Sequence, residues 1–219
     1  MNLLAIETAT AACSVALLTA DGEFSRHAVA PREHTALVFA QLDDCLTEAG
    51  IAVDKLDAVA FGHGPGAFTG VRIAATLAQG IALPRDLPVI AISTLAALAE
   101  GARRRGHRGR VVAALDARRE EIYAATFEAR DEVLIRLSDD DVLPPADLLL
   151  PAGSDWLAAG NAWAVYTARF AAALTALPRA ADELPAALDV ATLARHELAA
   201  GRSGRATNAR PLYLRGAVD

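Results

Sequence analysis

The order of apolar segments in the first hundred residues leaves few folds open. Residues 1–7, 13–19 and 23–30 each read as a short strand, with Asp21-Gly22 as the hairpin turn between the second and third. Residues 33–49 then carry a helical apolar pattern that Gly50 stops. A fourth strand over 56–61 follows, then a helix over 68–83 that Pro84 cannot continue. Residues 88–92 predict a fifth strand and 95–102 a third helix. An antiparallel meander that feeds alternating helices and strands specifies a mixed sheet with helices packed on it.

Residues 101–110, GARRRGHRGR, interrupt the pattern and read as a solvated junction between two lobes; a local contact to nucleic-acid phosphate is the alternative. A second meander follows over 110–115, 121–128 and 133–137. A strand over 156–160, helices over 162–173 and 188–200 and an extended tail over 211–215, anchored by Tyr213, complete the expectation. The second half begins as the first does. This predicts a first lobe over 1–102, a junction over 103–109 and a smaller lobe over 110–186, with residues 187–219 packing back on the first. The order of elements matches the ribonuclease H-like half of the actin/Hsp70-type folds, so the expected class is α/β with two such lobes, the second reduced.

Composition narrows the function. The formal net charge is -6 and the pI about 5.4, which argues against a chain that neutralises nucleic-acid phosphates by itself. No apolar run reaches the roughly 18 residues of a membrane helix, and the opening MNLLAIETAT lacks the basic start of a secretory leader. A cytoplasmic protein with two reduced thiols, Cys13 and Cys45, is the reading.

Few residues form a chemical constellation. Gly62–Gly70 (GHGPGAFTG) joins a strand to a helix, and such a turn either cradles an anion with free backbone N–H groups or allows close packing. It lacks the lysine of a phosphate-binding P-loop. Glu7 and Asp116 end the first strand of each lobe and are the candidates to flank a nucleotide cleft. His27, His34, His63, His107 and His196 show no metal-ligand spacing, and no serine sits in a nucleophile elbow.

Two helices carry more apolar surface than one buried stripe requires. Residues 68–83 place Val71, Ile73, Leu77, Ile81 and Leu83 around the helix, with a small-residue stripe of Gly70, Ala74, Ala78 and Ala82 that would let another helix approach. Residues 33–49 show the same excess in Leu37, Val38, Phe39, Leu42, Cys45 and Leu46. Either the two helices cover each other or they form a partner surface, whose candidates are Leu37, Val38, Leu42, Gly70, Ala74, Leu77, Ala78 and Ile81.

The segments LAIETAT (4–10), CSVAL (13–17), GHGPGAFTG (62–70), PVIAISTLAAL (88–98), LDAR (115–118) and RPLYLR (210–215) together resemble the TsaB (YeaZ) family, well over the first 128 residues and poorly over 129–205. The resemblance implies a non-catalytic subunit that pairs with the catalytic paralogue TsaD, joined by the ATPase TsaE, in forming threonylcarbamoyladenosine beside the anticodon of tRNAs. TsaC would supply threonylcarbamoyl-adenylate. It further implies a homodimer in isolation, tRNA contact only through the complex, and no cofactor or metal of its own. TsaD-like chains carry an HxxxH metal motif where this chain reads Thr94 and Leu98. Glu7 stands where many TsaB-like chains have Asp. The rival readings are an M22-type, glycoprotease-like peptidase and a nucleotide-binding, kinase-like enzyme of the same fold.

Overall fold

The computed structural model describes residues 1–180 and 184–215. The expected second lobe and returning segment extend over 181–183 and 216–219, which lie outside the described residues. The first half runs β1 (Leu3–Glu7), β2 (Ala12–Leu18), β3 (Glu23–Val29), α1 (His34–Ala49), β4 (Ala58–Gly64), α2 (Phe68–Ala82), β5 (Val89–Ser93) and α3 (Thr94–Arg104). The second half runs β6 (Gly109–Asp116), β7 (Ile122–Arg130), β8 (Val133–Arg136), β9 (Asp141–Leu143), β10 (Trp156–Ala159), α4 (Ala162–Val165), α5 (Ala172–Thr175) and α6 (Ala187–Ala199).

The first sheet has the order β3-β2-β1-β4-β5, with β1 antiparallel to β2 and parallel to β4. β1 and β2 are buried along their whole length, so both faces of the sheet must be covered. The period of two sorts their side chains. Leu4, Ile6, Val15, Leu17, Val59 and Phe61 pack with α1 and α2. Leu3, Ala5, Ala16, Leu18, Ala58 and Ala60 pack with α6, which returns from the far end of the second half to cover this face. The alanines there let α6 lie close to the sheet. Gly204 adds an antiparallel bridge to Val89 at the edge of β5.

The second sheet has the order β10-β6-β7-β8, with β9 also on β7. α3 follows β5 directly, yet its buried side, Leu95, Leu98, Ala99 and Ala102, packs on Val111, Ala113, Leu115 and Phe127 of this second sheet. α3 and α6 therefore lie against each other between the two sheets. These are two ribonuclease H-like lobes of the actin/Hsp70 type, the second with two long strands, β6 and β7, and three short ones.

Three local expectations need correction. Gly62 and Gly64 belong to β4 and not to a loop after it. The helix over 162–173 is broken into α4 and α5 with a single 3-10 turn between them, Thr167–Arg169. The cause is the stack of Phe170 on Trp163, at 4.2 Å between ring centroids; a continuous helix would separate these positions by about 10 Å. Finally, the arginine run is solvated only in part: Arg104, Arg105, Gly106 and Arg108 are exposed, while its first residues belong to α3. Arg103 lies on the last turn of α3, buried, and donates to both oxygens of the buried Glu100 at 2.8 and 2.7 Å and to the Asp131 carbonyl. Arg104 meets Asp189 of α6 at 3.0 Å and Glu23 of β3 at 3.3 Å.

Arg103→Ala should leave the Glu100 carboxylate buried without its counter-ion and cost about 3–5 kcal/mol of stability. The exposed pair of Arg202 with Glu197 supplies the contrast: Arg202→Ala should cost less than about 1 kcal/mol. Urea unfolding midpoints of the two variants decide this; equal, small shifts would mean that the buried pair adds no more to stability than the exposed one.

Candidate functional site

The two acids expected at a cleft end β1 and β6, as the sequence placed them, but each is already occupied by the chain. Glu7 is fully buried. Its Oε1 accepts from the Ala9 N–H at 2.7 Å and its Oε2 from the Thr94 hydroxyl at 3.2 Å. Gly62 packs directly on this carboxylate, and a Cβ there would overlap it. Glu7 therefore does not face an open groove. Burial pushes its pKa up to about 7, against the lowering effect of those hydrogen bonds. Asp116 receives the Tyr166 hydroxyl and the Arg118 N–H on Oδ1, both at 2.7 Å, and the Arg118 guanidinium at 3.0 Å on Oδ2. A cavity of about 480 Å³ between the lobes is lined by His63, Ser93, Phe127, Leu134, Arg136 and Asp139 among others, and neither acid belongs to its lining.

The glycine turn is built for close packing. The Ala67 N–H donates to the Ala9 carbonyl at 2.7 Å, and the Thr8 hydroxyl to the Gly70 carbonyl at 2.7 Å. A Cβ on Gly66 or Gly70 would collide with the Ala9 or Thr8 backbone. The turn clamps the end of β1 to the start of α2, and Ala67, the residue before that helix, spends its N–H on the clamp.

Thr94 and Leu98, at the metal-ligand positions of the resemblance, serve other ends. Thr94 is buried against Glu7, and Leu98 is buried in the core of the second lobe beside Gly160. Among the described residues no group of three or more His, Cys, Asp or Glu side chains is placed to hold a metal.

The outer surface of α1 and α2 separates the partner candidates. Gly70, Ala74 and Ala78 are buried, Ala74 and Ala78 within the first-lobe core, and so is Val38. The small-residue stripe lets α2 approach its own sheet; it is not available to another chain. Leu37, Leu42, Leu77 and Ile81 are half-buried at the margin of that core, together with Leu46 and Ile73. The crest of α2 between its flanks is formed by the exposed Thr69, Thr76 and Gly80, and a Cβ on Gly80 would meet open space. Phe39 on α1 and Phe68 on α2 are large and exposed, at 55% and 59%. Sequence periodicity missed Phe68, Thr76 and Gly80, because it cannot tell which of two small-residue stripes on a helix turns inward.

The tail adds a contact that sequence could not place. The Leu212 N–H donates to the His63 carbonyl at 2.7 Å, and Arg215 reaches the Ala117 carbonyl at 3.0 Å and the Glu121 carboxylate. Tyr213 is 47% exposed, so it anchors by its edge: its hydroxyl accepts from Arg72 Nε at 2.7 Å.

The tRNA threonylcarbamoyladenosine biosynthesis protein TsaB of Escherichia coli K12 is 39% identical over 224 residues, covering 100% of this chain and 96% of that relative. The chain belongs to the TsaB (YeaZ) family. The TsaB protein of Haemophilus influenzae is 46% identical over 123 residues, 56% of this chain and 52% of the relative. A solved structure described as YeaZ from Pseudomonas aeruginosa superposes with a TM-score of 0.91 at 41% identity, over 97% of this chain and 99% of that one. A family model described as TsaD, tRNA N6-adenosine threonylcarbamoyltransferase, matches residues 27–215. The TsaB-family chain thus shares its frame with a transferase family.

Burial of Glu7 has a measurable consequence. A carboxyl whose pKa rises from 4.5 to about 7 on folding adds stability that is full below about pH 4.5 and lost as pH rises through 7. The shift corresponds to about 3 kcal/mol. Asp189, buried and raised to about 6, adds a slope of the same sign at lower pH. Glu7→Gln should flatten the fall in stability between pH 5 and pH 8 and leave the variant at least as stable as the parent at pH 8. Thermal unfolding across that range tests it; an unchanged slope would show that Glu7 is charged and well solvated.

Proposed function

We propose that the chain is a non-catalytic subunit in the biosynthesis of threonylcarbamoyladenosine on tRNA, pairing through α1 and α2 with a TsaD-like catalytic subunit that a TsaE-like ATPase joins. The names of its relatives support the pathway. The observation that carries the pairing is the exposure of Phe39 on α1 and Phe68 on α2, with Leu42, Ile73, Leu77 and Ile81 half-buried on the same two helices. Exposed apolar side chains gathered on two neighbouring helices mark a protein interface. The absence of imidazole at 94 and 98, with both side chains committed to the interior, supports the accessory role over the peptidase reading. The saturated Glu7 and Asp116 give no support to the nucleotide-dependent, kinase-like reading.

Without its partner, the same face would join a second copy about a two-fold axis, and the homodimer would compete with the complex. With a net charge of -6, the chain would meet tRNA only within that complex, in the cytoplasm. No helix among the described residues is long and apolar enough to cross a membrane.

Gly80→Arg places a cation on the proposed face in open space, and Leu77→Arg places one at the half-buried margin of the core. Each should leave a folded monomer and weaken both homodimer and TsaD pairing by at least about 30-fold. Ala74→Arg should instead unfold the chain, since that site is fully buried. Light scattering, a pull-down with the TsaD-like subunit and reconstituted tRNA modification form the test. Turnover by the isolated chain, or normal pairing by folded Leu77→Arg and Gly80→Arg, would overturn the reading.

A further inference from the structure

We propose that Arg72 is a preset clamp for a carboxylate of the TsaD-like partner, an inference that rests on the pairing reading above. Arg72 is the only charged residue on the 15-residue α2. Its guanidinium carbon lies 3.4 Å from the Phe68 ring centroid and 5.6 Å from that of Tyr213, while its Nε donates to the Tyr213 hydroxyl at 2.7 Å. The two rings meet at 5.9 Å and 37°. One face and one edge of the guanidinium are therefore held, and its terminal Nη1 and Nη2 donors have no protein acceptor among the described residues.

What sets Arg72 apart among the described residues is its place against two aromatic rings. Acidic residues outnumber lysine and arginine by 27 to 21, and Arg26, Arg104, Arg130, Arg136, Arg169 and Arg202 each find a carboxylate. Arg72 makes no ion pair among the described residues, although it is exposed and ordered by two aromatic rings. Much of the rotamer entropy that an arginine loses on binding is already lost in the free protein. The remaining pair of N–H groups fits a planar, two-oxygen acceptor.

Its position decides between acceptors. Arg72 lies on the flank of α2 that meets the tail, and Ile73 and Leu77 turn toward the opposite flank. A helix laid on the crest of Thr69, Thr76 and Gly80 would touch both flanks. Tracking of a nucleic-acid backbone needs several cations in a row, and α2 supplies one. An acidic side chain on the facing protein satisfies the geometry and the charge. Phe68 and Tyr213 would exclude water around the pair, as residues ringing an interface hot spot do.

The test is titration calorimetry of the TsaD-like subunit with the parent chain, Arg72→Gln, Arg72→Lys and Leu77→Arg at low and high salt. Arg72→Gln should weaken pairing by about 30-fold or more while the chain stays folded, with only the small drop in unfolding temperature expected from losing its exposed contacts to Phe68 and Tyr213. Arg72→Lys, which keeps the charge and loses the planar fork, should recover only part of this. The salt dependence of pairing should be shallower in Arg72→Gln than in the parent. Normal pairing by Arg72→Gln, with Leu77→Arg defective, would refute the clamp and leave the pairing face standing. Failure of the parent chain to pair would remove both. Normal pairing by Arg72→Gln with lost tRNA modification would assign Arg72 to RNA and likewise overturn the clamp.

Discussion

The first lobe depends on the contact between the end of β1 and the glycine turn. Three glycines, Gly62, Gly66 and Gly70, lie against Glu7, Ala9 and Thr8, where an added methyl group would displace the Glu7 carboxylate or, at Gly66 and Gly70, force the backbones apart. Two hydrogen bonds, Thr8 to Gly70 and Ala67 to Ala9, fix the spacing. Because β4 and α2 are joined through this turn, the contact sets where α2 crosses the sheet. That in turn decides that Ala74 and Ala78 point inward, and that Thr76, Gly80 and Arg72 point away. The surface read here as a partner face is a by-product of that crossing.

A second layer of dependence lies between the lobes. α3 leaves the first sheet but serves the second, and α6 leaves the second half but serves the first. The lobes are thus interleaved by exchange of helices and not merely tethered. The buried Glu100–Arg103 pair and the Arg104–Asp189 pair sit where α3 and α6 meet. The Arg104–Asp189 pair joins the two helices, while Arg103, held by Glu100 of its own helix, ties α3 to the Asp131 carbonyl of the second lobe. The tail completes the frame, with Leu212 held to one lobe and Arg215 to the other.

Much of this was legible in the sequence because it is local. The hairpin at Asp21-Gly22, the stop at Gly50, which has a φ of 66°, and the alternation of β3 follow from neighbouring residues. What was not legible depends on distant partners. Arginines 103 and 104 look solvated in a glycine-rich stretch, and only Glu100 and Asp189 show that they are paired. A helix over 162–173 satisfies local pattern, and only the stack of Phe170 on Trp163 breaks it. The acids Glu7 and Asp116 were placed correctly at strand ends, but their saturation rests on Thr94, Gly62 and Tyr166, which are 87, 55 and 50 residues away in the chain. For the partner face, the apolar excess was visible and its direction was not.

The return of α6 also sets an order on the making of the molecule. The face of the first sheet formed by Leu3, Ala5, Ala16, Leu18, Ile90 and Ile92 finds its cover in residues translated about a hundred positions after β5. At ribosomal speeds of 5–20 residues per second, that is a wait of roughly 5–20 seconds. Through that interval the nascent first lobe carries an apolar sheet with one side bare, a surface that chaperones recognise. Its completion is an event of late translation, although its strands are among the earliest to emerge.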